Sequence, residues 1–383
     1  THVQLAGTAL GNLIIGKTGN TRQIDLSSNI TTTGTQTYNG PVRLVGGDRT
    51  VATTNSNVVF ASTVNSDGTQ RALTVTNGTG DTTFSGVIGG SAAVKSLTIT
   101  SDQLTAGAMT LNGALTATLG GSSSITGVIA NGGGGTASLV KAGNGTLTLS
   151  ASNTYTGTTQ VSAGTLTVSG SGRLSDSTAV TVDSGAVYNV AVSDTVASIA
   201  GAGSITLGSN TLTAGGSNAN TTFSGVISGS NGNLIKAGSG ALTLSGANTY
   251  TGTTTINAGD LTVSGSLHDS TAVSIASGAD YNVNASDTVA SIEGAGNIVL
   301  ASSQTLTAGD GNNKTLSGVM SGAGNYIKAG GGTQTLTGNN SYTGSTTISA
   351  GLLKIIRDNP TSYLAATSGF TGPGNLTIES SGD

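Results

Sequence analysis

The residues best placed to do chemistry in this 383-residue chain are three lysines and three tyrosines at a fixed spacing. Lys141, Lys236 and Lys328 each open a Lys-Ala-Gly-x-Gly run, and Tyr155, Tyr250 and Tyr342 follow them by 14 residues in Tyr-Thr-Gly-x-Thr. Three ammonium groups at equivalent positions suit recognition of an acidic or hydroxylated polymer, and a tyrosine face suits the C–H groups of a pyranose. The spacing therefore singles out these six residues as a glycan-contact set. Each also has a purely structural alternative. The lysine ends a short strand and solvates a corner, or the tyrosine packs across a corner with its hydroxyl on a backbone carbonyl.

Other chemistry has little to draw on. A globular enzyme carries about 25% charged residues, whereas this chain has 8%, with 3% aromatics, 62 Gly and 3 Pro. His268 stands where the preceding copy has Ser175, and His2 lies at the chain start, so neither histidine belongs to a repeated constellation. Asp176/Asp269 and Asp194/Asp287 recur 93 residues apart. Stacked carboxylates hold Ca²⁺ when carbonyl oxygens assist, yet Asp176, Asp194 and Asp287 sit in the Ser-Asp-Ser/Thr context of an Asx turn, and Asp269 differs only by a preceding His. The Gly-Gly-x-Gly-x-Asp calcium repeat is not met at Gly132 or at Ala308, and the glycines at Gly294 precede no helix that would hold a dinucleotide. No catalytic residue, metal site or cofactor is expected.

Zero cysteines exclude disulfides and thiolate metal sites and are compatible with export through an outer-membrane pore. The net charge of −4, without a basic stripe or an aromatic series, argues against nucleic-acid or anionic-membrane partners. No apolar run approaches the roughly 18 residues of a membrane span, and no leader pattern opens the chain at Thr1.

The elements that must position these residues are repeats. Successive Lys/Tyr copies lie 95 and 92 residues apart. Between them, the segment from Gly172 matches the segment from Gly265, pairing Tyr188 with Tyr281. A third signature, ITGVI at Ile125, FSGVI at Phe223 and LSGVM at Leu316, precedes each lysine unit, with an earlier FSGVI at Phe84 and a diverged Tyr-x-Gly turn at Tyr38. Three stretches follow: diverged coils over 1–83, repeats of about 93 residues over 84–355, and a further coil or truncated repeat over 356–383.

Within a repeat, short alternating runs at Ala241, Thr253, Leu261, Ala272, Tyr281, Thr288 and Ile298 are separated by Gly, Ser, Asn or Asp, which reads as strand after strand. Leu352 to Arg357 is the nearest thing to a helix and is too short for one. Near-identical segments in tandem predict an all-β fold, a single-stranded right-handed parallel β-helix. Each strand would stack on its own equivalent one coil later, with ladders of like side chains. At about 22 residues per coil and a strand spacing of about 4.8 Å, the chain gives on the order of 17 coils and a rod of roughly 80 Å.

The run G-x-[LI]-x-K-x-G-x-G-x-L-T-L-[ST]-G-x-N-x-Y-[TS]-G-x-T, closed by Ala-Gly, resembles the passenger-associated repeat of bacterial type V secretion. That repeat occurs in autotransporter passengers and in large filamentous-haemagglutinin-like adhesins. The resemblance covers about Phe84 to Ile355, and the Thr31 to Leu44 segment resembles repeats of two-partner-secreted biofilm-matrix adhesins. It implies a β-helix, an outer-membrane transporter as partner during export, and a secreted or cell-surface location. The flanks such proteins carry are not in this sequence, so it is expected to be one piece of a longer protein.

The expected function is a non-enzymatic adhesin stalk of a Gram-negative bacterium, a rigid spacer supporting attachment to neighbouring cells or matrix exopolysaccharide. Two alternatives belong to other classes. A β-helix polysaccharide lyase or hydrolase needs paired carboxylates in one groove, which do not stand out. An ice-binding solenoid would use Thr-x-Thr runs such as Thr146, Thr148 and Thr251, Thr253, which Tyr and Lys interrupt.

Overall fold

Alternation decides the local structure. In Thr146–Leu149, Leu147 and Leu149 are fully buried while both threonines face outward, the two-sided pattern that a pleated strand imposes on successive residues. Threonine holds the outer position because its branched β-carbon fits an extended backbone and its hydroxyl is solvated. The computed structural model describes residues 10–357 and 369–380. His2 lies outside them, as do residues 358–368 and 381–383 of the last expected stretch.

The described residues form strands and no helix. The runs expected from the repeat are strands at Leu242–Leu244, Thr253–Ile256, Gly259–Val263, Ala272–Ile275, Ala279–Val283 and Asn297–Leu300, and the Thr288 run divides between Asp287–Val289 and Ser291–Gly294. Leu352–Arg357 is also a strand. The fold is a parallel β-solenoid, divided into two compact units, Thr1–Thr195 and Val196–Asp383.

In the first unit, one sheet runs through Leu73–Thr76, Leu97–Ser101, Ala114–Leu119 and Ser138–Ala142, each pairing in parallel with the next. A second runs through Leu104–Ala106, Ser122–Ile125, Thr146–Leu149 and Thr165–Val168. Three aromatic rings stack in its core, Tyr38 on Phe60 at 4.9 Å and Phe60 on Phe84 at 4.8 Å, with interplanar angles of 7° and 2°. Parallel register makes this possible, because it sets Tyr38, Phe60 and Phe84 directly above one another.

In the second unit, one sheet contains Asn233–Lys236, Thr253–Ile256, Ala272–Ile275 and Ser291–Gly294. A second contains Leu242–Leu244, Gly259–Val263, Ala279–Val283 and Asn297–Leu300. A third contains Asp287–Val289, Thr305–Ala308, Asn325–Lys328 and Thr346–Ile348. Paired residues are offset by as few as 17 positions (Asp280 to Asn297) and as many as 24 (Leu73 to Leu97).

One expectation is corrected here. Strands do not stack on their sequence equivalents. From Lys236 the register passes through Ile256, Ile275 and Gly294 to Leu316 in four coils, and Lys328 lies a further 12 residues along, in a different sheet. The sequence repeat is thus four coils and a fraction, so copies never meet as neighbours and the lysines and tyrosines do not form ladders.

The glycine of the FSGVI signature sits where two coils press together. A β-carbon on Gly225 would lie 1.6 Å from the Gly203 carbonyl oxygen, and one on Gly318 would lie 1.8 Å from that of Gly296. Gly225→Ala should therefore force the coils apart and cost about 1–3 kcal/mol, read as a lower urea midpoint. Gly216→Ala, with nothing within 4 Å of its β-carbon, should leave the midpoint unchanged.

Candidate functional site

The six residues singled out by spacing all point into the coil. Lys141, Lys236 and Lys328 are at most 1% exposed, and Tyr155, Tyr250 and Tyr342 are fully buried. The placement is set by period two. In Ser138–Ala142, Leu139 faces the core, Val140 faces out, and Lys141 faces the core again; Asn233–Lys236 and Asn325–Lys328 repeat the pattern with Leu234 and Tyr326. A glycan-contact role for these residues is overturned by this burial, because a buried ring offers no face to a sugar and a buried ammonium no contact to a polymer.

The lysines cap corners instead. Lys141 Nζ donates to the carbonyls of Ala142 (2.9 Å) and Gly143 (2.8 Å) beside it, and to Ala163 (3.1 Å) 22 residues on. Lys236 does the same with Ala237, Gly238 and Ala258, and Lys328 with Ala329, Gly330 and Ala350, at 2.6–3.1 Å. Three bonds satisfy all three ammonium protons. The distant acceptor is the closing Ala-Gly of the same motif, which explains why both ends of the motif recur together. Burial pushes the Lys141 ammonium down to about 8, and Lys236 and Lys328 shift in the same direction.

Two further residue sets, not singled out from sequence, complete the arrangement. Asn153 accepts from the Ile129 N–H (2.9 Å) and donates to the carbonyls of Ala151 (3.0 Å) and Arg173 (2.7 Å). One amide thereby joins three successive coils. Asn248 repeats all three bonds with Ile227, Gly246 and Ser266, and Asn340 repeats the first two with Met320 and Gly338. Ile129, Ile227 and Met320 are the last residues of the ITGVI, FSGVI and LSGVM signatures, which ties the third signature to the lysine unit. The tyrosine hydroxyls meet Thr159, Thr254 and Thr346, the last two at 2.6 Å, rather than a backbone carbonyl. The signal was available, since Asn and Thr follow each lysine by 12 and 18 residues in every copy.

The recurring aspartates divide. Asp176 and Asp269 are exposed. Asp194 and Asp287 are buried, and each accepts from a tyrosine hydroxyl, Tyr188 and Tyr281, and from the backbone N–H of Leu174 and Leu267. Burial raises both carboxyls, Asp287 to about 6. His268 accepts the Ser270 N–H at 3.1 Å, as Ser175 accepts the Ser177 N–H at 3.3 Å, so the histidine takes over a turn bond. Among the described residues no three His, Asp or Glu side chains group as a metal site. A shallow cleft of about 330 Å³ in the first unit is lined by Thr79, Thr100, Ser101, Asp102, Thr118 and Asn144 together with main chain, and Asp102 is its one carboxylate.

The Lys-Asn-Tyr unit is a device for joining coils, and its three occurrences coincide with a known family. The family model described as Passenger-associated-transport-repeat matches residues 139–168, 234–263 and 327–355. The three Lys-Asn-Tyr units thus match the passenger-associated transport repeat. The chain is also similar to the adhesin BmaC autotransporter of Brucella suis biovar 1 (strain 1330), 42% identical over 135 residues. That match spans 33% of this chain and 4% of the relative. No solved structure matches it. The transport repeats and the relative together indicate a secreted or cell-surface location.

Two outcomes follow for the repeats. Lys236→Met should strand three carbonyls and cost about 1–3 kcal/mol in a denaturant titration, a loss that an exposed ligand-contact lysine would not show. The second outcome concerns pH. The Asp287 pKa is raised in the fold, so its contribution is complete in acid, below the ordinary carboxyl range, and is lost as pH rises through about 6. Melting temperature should fall across that window, and Asp287→Asn should flatten the fall.

Proposed function

We propose that this segment is a non-enzymatic stalk of a surface adhesin, a spacer that supports attachment of the cell to neighbouring cells or to matrix exopolysaccharide. An outer-membrane transporter would be its partner during export. The observation that carries this reading is the inward direction of the Lys-Asn-Tyr unit. The recurring lysine, asparagine and tyrosine groups are spent on bonds within and between coils, so their duplication has multiplied structure and not a binding surface. Repetition of that kind adds length and register with few new requirements, as in other solenoids. The similarity to an adhesin autotransporter supports the same assignment. A lyase or hydrolase is disfavoured because glycoside hydrolysis uses two facing carboxyls, and the cleft of the first unit has one, Asp102.

The test uses cells that display the intact protein. Removal of residues 236–327, one sequence repeat, should leave the amount on the surface unchanged and reduce attachment to exopolysaccharide-coated surfaces or to other cells, because reach is shortened. The purified 383-residue chain should show no saturable binding to the same polysaccharides, with or without a calcium chelator. Unchanged attachment by the shortened protein would overturn the spacer reading, and saturable binding by the purified chain would place adhesion in this segment itself.

A further inference from the structure

The outward faces of the first unit carry an order that the buried motif does not explain. Leu73–Thr76, Leu97–Ser101 and Ala114–Leu119 pair in register, which sets Thr74, Thr98 and Thr116 in one file and Thr76, Thr100 and Thr118 in the next. Thr50 extends the first file. Neighbouring strands lie about 4.8 Å apart and alternate residues about 6.6 Å apart, so six threonines form a two-dimensional lattice. A second lattice stands on another sheet of the same unit: Ser122, Thr146 and Thr165 in one file, Ser124, Thr148 and Thr167 in the other. Thr105 extends its second file.

Three properties narrow what such lattices meet. Their positions hold no charged side chain; of the flanking outward residues, Ala52, Val140 and Ala142 are small and apolar, and Asp102, beside Thr100 and Thr118 in the cleft, is a carboxylate at the edge. The threonines of the first lattice are exposed or half-exposed, and their hydroxyls are not taken up by bonds to other described groups. A β-branched side chain has few χ1 states, so in the first lattice, all threonine, hydroxyl and methyl ranks are fixed before any partner arrives; the second has serine at 122 and 124, and its Thr167 hydroxyl accepts from Asn189 Nδ2 at 3.4 Å. Sugars are recognised by aromatic faces, and here every described tyrosine, from Tyr38 to Tyr342, is buried. An uncharged, pre-ordered grid of hydroxyls and methyls instead matches ordered water, whose first-shell molecules can bridge such groups at little cost. The surface of ice presents oxygen ranks of comparable repeat. The interruption by Lys and Tyr that counts against this reading in the sequence disappears in the structure, because those residues point inward.

We propose that the threonine lattice and the mixed Ser/Thr lattice of the first unit bind ice. The inference does not depend on the stalk reading, since a spacer and a non-spacer alike would present these faces. The test is thermal hysteresis, and partition into a slowly growing ice front, of the whole 383-residue chain. The native chain should shape ice crystals and enter the ice. Thr98→Tyr combined with Thr148→Tyr, outward positions where a bulky β-former fits a strand, should lose both activities with an unchanged melting temperature. Thr243→Tyr, on the second unit, should retain them. Exclusion of the native chain from ice would overturn the proposal, as would a double variant that enters ice equally well, or loss with Thr243→Tyr alone.

Discussion

Everything in this molecule depends on how a parallel coil disposes of the carbonyls at its corners. Along the strands each amide finds its partner on the next coil, but where the chain bends, carbonyl oxygens converge without donors. Unmet, they would carry the desolvation cost of buried polar groups. The chain meets this with side chains that donate several bonds from one atom. Lysine brings three protons to three carbonyls, and asparagine links three coils through one amide. The tightly packed glycines of the FSGVI signature then become necessary, because coils drawn together by such bonds leave no room for a β-carbon.

A buried ammonium without a carboxylate partner is ordinarily costly. Here the cost is offset by saturation of its hydrogen bonds, and the downward pull on Lys141 shows that desolvation is not fully cancelled. Asp287 is the mirror case, a carboxyl held in the core by Tyr281 and the Leu267 N–H and shifted upward by the same burial. The repeat therefore places ionisable groups in the interior as structural fittings, at positions where an alternating strand would ordinarily place Leu or Val.

The solenoid was legible in the sequence because alternation of Leu with Thr and the recurrence of glycine at corners are local signals. The direction of the lysines was obscured by a run of two apolar residues: Leu139 and Val140 are equally hydrophobic, and only the period-two link from Leu139 to Lys141 tells which side the ammonium takes. Asn153 and Thr159 also bond groups on adjacent coils, Ile129 and Thr178, which spacing within one coil does not reveal. Ladders of like side chains do form, Thr74 on Thr98 on Thr116 among them, but they join different segments of the repeat; the copies themselves do not stack, since the length of the sequence repeat is not a whole number of coils.

That mismatch sets how the protein can change. In the second unit, the step from Lys236 to Lys328 carries the motif from one sheet to another. Gain or loss of one copy by recombination would therefore do more than alter length; it would turn everything downstream by one face about the axis. Copy number acts as an angular coordinate, and a bacterial lineage that varies it would re-aim whatever the following coils display without altering a single residue within them.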